Sequence, residues 1–254
     1  MSPVAGSELP IGKVPGTVST VTAAEIARWG AITVGDALQQ SVPGVILSDQ
    51  QGNVFQTDIQ YRGFSASPVD GLPQGVAVYQ NGVRINESFG DTLNWAFLPS
   101  VAIDSITVMS NNPVFGLNAI GGAVSIAMKD GFGFQGVETD TRFGSYGRRM
   151  GSLQAGSQSG TVAAYIALED IHDDGYRDQG SSLIRRVYGD LGARGDGKEL
   201  HLNFTGADNF VGVAAATPIQ LLDQGWSTVF TVPQTTRNSM DMVSANGTVA
   251  VSKP

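Results

Sequence analysis

The sequence predicts an α+β domain followed by the antiparallel β-strands of a transmembrane β-barrel. Three observations lead there. Before Gly131, two helix-start signatures lie among short β-branched runs. After Gly131 come six strand-like segments, several of alternating polarity. Their connections are tight at one end and long at the other, as in an outer-membrane barrel.

The elements follow in order. Residues 1–16 are Pro-, Gly- and Ser-rich and read as an extended leader. Thr22-Ala23-Ala24-Glu25 is a capping box, so a helix starts there and Gly30 ends it. Thr33-Val34-Gly35-Asp36 repeats the signature, Ala37, Leu38 and Val42 supply an apolar side, and Pro43-Gly44 stops the second helix. Val45–Leu47 and Asp58–Tyr61 read as strands. Val76–Gln80 and Val83–Asn86 flank Asn81-Gly82, the pair that best tolerates the two positive φ angles of a type I′ hairpin turn. Ser105–Met109 and Ala123–Met128 complete the domain.

The later strands are expected over 134–143, 149–158, 162–171, 184–193, 199–208 and 240–251. His201, Asn203 and Thr205 alternate with Leu200, Leu202 and Phe204. In the last segment Met240 and Met242 fall in the polar register. Segments 157–160 and 195–198 read as tight turns; 173–182 and the stretch after Thr205 read as long loops. A soluble sandwich also offers short strands and Gly turns, but has no need of the short–long alternation.

Composition narrows the function. The 254 residues hold 23 Asp+Glu against 15 Lys+Arg, and no basic cluster serves a nucleic-acid partner. With no cysteine and only His172 and His201, thiolate chemistry and a His-rich metal centre are excluded. No apolar run is long enough for a membrane-spanning helix, which leaves barrel strands open. Gly116, Gly121 and Gly122 lack the spacing of a phosphate loop and read as a structural turn. The acidic run Glu169–Gly175 lacks calcium-loop spacing and reads as a solvated hairpin tip. Ser157 and Ser159 are misplaced for a nucleophile elbow. No catalytic residue, resident metal or cofactor is indicated.

One ordered series carries more. Tyr61-Arg62-Gly63-Phe64 is followed by Val78-Tyr79-Gln80-Asn81-Gly82-Val83-Arg84-Ile85, by Ile103–Val108, and by Val114–Ile126 with its Gly116, Gly121 and Gly122. Together these resemble the plug domain of TonB-dependent outer-membrane receptors, and the likeness extends over roughly residues 17–251. Thr17–Val21 resembles the plug's opening strand, and residues 228–238 an outward loop.

The resemblance implies a leader over 1–16, a plug over 17–130 and the first barrel strands over 131–254. It implies a non-enzymatic receptor of the bacterial outer membrane. Its plug lies in the barrel lumen and its N-terminus in the periplasm. The implied partners are the TonB energy-coupling complex, reached through the N-terminal segment, outer-membrane lipid, and a scarce small-molecule or metal-chelate ligand such as a ferric siderophore or cobalamin. It places Arg62 in the lumen, where a barrel acid is expected to pair with it. Loops 65–75 and 86–95 are the expected ligand contacts. Asn86, Asp91 and Asn94 offer hydrogen bonds and Phe89 and Trp95 offer aromatic surface; packing of Trp95 and Phe97 in the core is the alternative.

Two departures stand out. Asn111-Asn112-Pro113 replaces the family's Arg-Gly-Pro, and nothing before Thr17 clearly matches a TonB box. Such receptors close about 22 strands around the plug. Six strands therefore make an incomplete transmembrane β-barrel, a fragment expected not to transport alone. The rival readings are a soluble β-rich binding module and a passive pore or adhesin fragment.

Overall fold

The computed structural model describes residues 16–49, 52–110, 116, 118–214, 216–230 and 232–250. The leader up to residue 15 and Asn111-Asn112-Pro113 lie outside the described residues. The chain divides into two compact units: residues 1–96, 103–128 and 213–234 form one, and 97–102, 129–212 and 235–254 the other.

In the first unit, β1 (Val18–Thr22) leads directly into α1 (Ala23–Trp29). The capping box is formed: the Glu25 amide donates to the Thr22 hydroxyl, and the Thr22 amide donates to the Glu25 carboxylate at 2.8 Å. The Thr22 amide and hydroxyl both donate to the Glu25 carboxylate and hold it below its ordinary range. Gly30 closes the helix in the left-handed conformation. Thr33 and Asp36 repeat the box on α2 (Val34–Ser41), whose Ala37 and Leu38 are buried. Val42, also buried, is its C-cap.

Two sheets complete this unit. β2 (Val45–Ser48), β3 (Asp58–Tyr61) and β4 (Phe64–Ala66) form an antiparallel three-stranded sheet. The other strands are β5 (Val76–Gln80), β6 (Val83–Arg84), β7 (Ile103–Met109) and β8 (Gly122–Met128), in the sheet order β1-β7-β8-β5-β6. Only β5 and β8 pair in parallel there. Every residue of β5 is buried. Val21, Val78, Ile106, Val124 and Ile126 lie in the core, as the hydrophobic effect requires of a sheet in water.

Asn81 and Gly82 both have positive φ, as the I′ pattern demands. The Asn81 side chain also accepts the Met128 amide at 2.8 Å, fastening the hairpin tip to β8. β6 is shorter than expected because Asn86 replaces strand backbone with side chain. Its amide oxygen accepts from Val78 N and its amide nitrogen donates to Val76 O. β4 was not anticipated. Its turn is Arg62-Gly63, both at positive φ, a conformation arginine adopts at a cost.

In the second unit, β9 (Gly136–Phe143), β10 (Arg149–Ser159), β11 (Val162–Asp173), β12 (Ser182–Gly195), β13 (Lys198–Val213) and β14 (Gln234–Val249) form one open antiparallel meander in chain order. The six expected strands are present, but β13 runs to Val213 and β14 starts at Gln234, within the stretch read as an outward loop. Tight turns at 160–161 and 196–197 alternate with connections over 144–148, 174–181 and 214–233.

The faces of this sheet are largely inverted, with Tyr165, Ile171, Ile184 and Tyr188 joining the polar side chains on the buried face. On one, Ile166, Leu168, Leu191, Leu202, Phe204 and Val243 are exposed; on the other, Gln154, Glu169, Arg186, Asp190, His201, Asn203 and Thr205 are buried. In β14, Met240 and Met242 keep the register of Ser244 and Asn246, less exposed than Val243 and Ala245. A soluble sandwich buries the apolar face instead. The acidic run is also corrected: Glu169–Asp173 continue β11 with Glu169 and Asp173 buried, and only Asp174 and Gly175 reach the tip. Asp173 is held there by Arg148, whose Nε donates at 2.7 Å.

Candidate functional site

The two expected ligand loops of the first unit are braced together. In 65–75, Gln74 folds back: its amide oxygen accepts from Ser67 N at 2.9 Å, and its nitrogen donates to the carbonyls of Ser67 and Val69. The Ser67 hydroxyl accepts from Val69 N and donates to Asp58 at the start of β3. Asp58 is fully buried and its second oxygen finds no partner among the described residues. Burial raises its carboxyl above the ordinary range, opposed by the Ser67 hydrogen bond.

Loop 86–95 hangs from this frame. Leu93 N donates to Ser67 O at 2.8 Å, and the Trp95 indole donates to Ala66 O at 2.9 Å. Trp95 and Asn94 are buried, the latter accepting from Ala96 N. Asp91, at positive φ, takes both carboxylate bonds from Arg84 Nη2 at 2.8 and 3.0 Å, and a third from Asn118. Asn86 bonds Val76, Val78, Arg84 and Asp91. Four of the five candidates thus shape the loop, while Phe89 stands at its tip, 84% exposed.

The glycine-bearing motif is structural in its geometry. Phe64 lies against two backbones: a Cβ on Gly75 would sit 2.5 Å from its ring, and one on Gly121 2.6 Å from its Cβ. Only glycine admits that approach. Gly121 N donates to Gly75 O, and Gly122 (φ 143) begins β8. Gly116 has positive φ, and a Cβ there would meet open space. Arg62 and Gly63 are exposed at their turn.

The second unit holds a site the sequence reading missed. Glu169 and Arg186 face each other across β11 and β12. Arg186 Nη2 lies 2.8 Å from Glu169, with both side chains nearly inaccessible. The pair grips the segment 97–102 of the same unit: Arg186 Nη1 donates to Leu98 O at 2.7 Å, and Ser100 N donates to Glu169 at 3.2 Å. The next pair in register, Asp170–Arg185, bonds at 3.1 Å on the exposed face. The available signal was two acids on one strand and two arginines on the next, in matching phase. Further along, Asp190 and Glu199 flank His201 at 2.9 and 2.8 Å. Phe132 packs edge-on against that imidazole beneath Arg194. Among the described residues no group of three or more His, Asp or Glu is placed to hold a metal ion.

Against known proteins, the family model described as TonB-dependent Receptor Plug Domain matches residues 10–123. No curated protein sequence matches the chain. Solved structures share the fold. The unliganded ferric citrate transporter FecA superposes with a TM-score of 0.77 at 12% identity, over 94% of this chain and 38% of that one. The ferripyoverdine receptor of the outer membrane of Pseudomonas aeruginosa gives 0.73 at 15% identity, over 97% and 33%. The ferric-catecholate import receptor Fiu from E. coli K12 gives 0.63 at 21%, over 80% and 28%. The chain spans well under half the length of these receptors.

Proposed function

We propose, for a chain whose residues 10–123 belong to the TonB-dependent receptor plug family, a role in energised uptake of a scarce ligand across the bacterial outer membrane. Residues 17–130 serve as the plug and 131–254 as the first wall strands. The observation that carries the reading is the inverted sheet. Its exposed Ile166, Leu168, Leu202 and Phe204 suit lipid, and its buried Glu169, Arg186 and Asn203 suit a filled lumen. The same observation counts against the soluble β-rich rival, which would need those leucines inside.

Ligand contact falls to loops 65–75 and 86–95, with Phe89 meeting the ligand and Asn86, Asp91, Asn94 and Trp95 fixing the loop that presents it. Arg62 pairs with a wall acid. No step of the reading is catalytic. Six strands with two open edges close no barrel by themselves, so uptake requires additional wall. The TonB complex engages the N-terminal segment. The test is capture of the chain by the soluble C-terminal domain of TonB in outer-membrane vesicles. Capture supports energised uptake, whereas a vesicle-embedded chain that TonB never binds fits the passive pore instead.

A further inference from the structure

The loops of the first unit have a one-sided chemistry. Residues 65–75, 86–95 and 214–233 contain no lysine and no arginine. Their acids are Asp70, Glu87, Asp91 and Asp223. Arg84 neutralises Asp91 through Nη2, which bonds both carboxylate oxygens. Asp70, Glu87 and Asp223 remain exposed. Asp70 lies at the tip of the neighbouring loop, where a Cβ on Gly90 would sit 2.6 Å from its carboxylate.

The same loops carry large apolar side chains in water. Phe89 is 84% and Trp226 80% exposed, with Ile219, Phe230 and Val232 comparably open. Phe89 stands beside Gly90, where loop 86–95 meets Asp70; the others lie on 214–233, which the Thr217 hydroxyl closes by donating to Thr228 O at 2.9 Å. Exposed aromatic surface on loops that are otherwise hydrogen-bonded marks a binding surface.

We infer that these loops take a ligand that is uncharged or cationic and carries apolar surface, and that they select against anionic chelates. The inference rests on the receptor reading above and names its substrate class. An anionic metal chelate would approach three exposed carboxylates with no lysine or arginine in these loops to receive it, and like charges at close range oppose binding. An uncharged or cationic chelate would meet the carboxylates without repulsion and lay its apolar surface on Phe89, Trp226 and Phe230. Arginine or lysine would be the expected receptor for an anion, and these loops have neither.

The experiment titrates the full chain in detergent micelles with three iron(III) probes: an uncharged trihydroxamate, a tris-catecholate anion and a citrate anion. Tryptophan quenching reports binding, and a Trp226→Phe variant isolates the loop signal. The expected result is trihydroxamate binding at least about tenfold tighter than either anion, with the gap narrowing as salt screens the carboxylates. The triple variant Asp70→Asn, Glu87→Gln, Asp223→Asn should narrow it too. Equal or tighter binding of an anion overturns the inference and leaves the receptor reading standing. Failure of all three probes to bind overturns the inference and withdraws support from metal-chelate uptake itself.

Discussion

In the five-stranded sheet of the first unit, Val78, Val124 and Ile126 are buried, while Gly82 of its hairpin turn is exposed. In the six-stranded sheet of the second, Ile166 and Leu202 are 46% and 49% exposed and Arg186 is 4% exposed. The two sheets share a chain, a strand period and much of their residue alphabet. They differ in where the apolar residues lie: β5 is buried on both faces, whereas the second sheet exposes its apolar phase. The first obeys the rule for a protein in water. The second obeys it only if its solvent is hydrocarbon on one side.

The comparison can be broken at several points. The largest effect is expected at the buried pair of the second sheet. Glu169→Ala should destabilise that unit by about 3–5 kcal/mol, because it leaves the Arg186 guanidinium buried without its counter-charge. Adding Arg186→Met should recover much of the loss in denaturant titrations of the micelle-bound chain; a double variant as unstable as the single one would mean the charge is not what matters. Next comes the exposed face. Ile166→Arg, nearer the middle of the apolar band, should cost about 2–4 kcal/mol in a bilayer at midplane depth, against about 0.5 kcal/mol or less at an ordinary exposed site in water. An equally small cost in lipid would remove the distinction between the sheets.

Smaller effects sharpen the first unit. Thr22→Ala removes the cap of α1 and should cost about 1 kcal/mol, read as loss of helix signal at lower denaturant. Asp58→Asn tests the buried carboxyl through pH. Its folded-state value is raised by burial. Its stabilising contribution is therefore complete below the unfolded value of about 3.9 and is lost as pH rises through the folded one. Relative to Asp58→Asn, the wild-type unit should weaken from pH 4 to pH 7; parallel stability curves for the two proteins would contradict a shifted Asp58.

Where sequence and structure agree, the determinants are local. The Thr22–Glu25 box and the Asn81-Gly82 turn each need only a few adjacent residues, and both form as expected. β4 was hidden because its turn uses Arg62 at positive φ, a residue that carries no turn signal. The Glu169–Asp173 stretch was misread for a different reason. Consecutive acids look solvated when strands are judged by their apolar phase, whereas Glu169 is matched by Arg186 and Asp170 by Arg185 on a strand whose register is set elsewhere. The loop candidates show the same limit. Polar residue type pointed to Asn86, Asp91 and Asn94, but only three-dimensional pairing shows that their hydrogen bonds are spent inside the loop and that Phe89 is what it presents.

The most direct test uses the absence of native cysteine. Single variants Ile166→Cys, Leu202→Cys and Ala167→Cys would be spin-labelled in vesicle-embedded protein and probed with molecular oxygen, which concentrates in lipid, and with a water-soluble nickel chelate. Labels at 166 and 202 should relax with oxygen and ignore nickel, while the label at 167, on the covered face, responds weakly to both. Nickel-accessible labels at 166 and 202 would place the leucine face in water and contradict a lipid-facing wall.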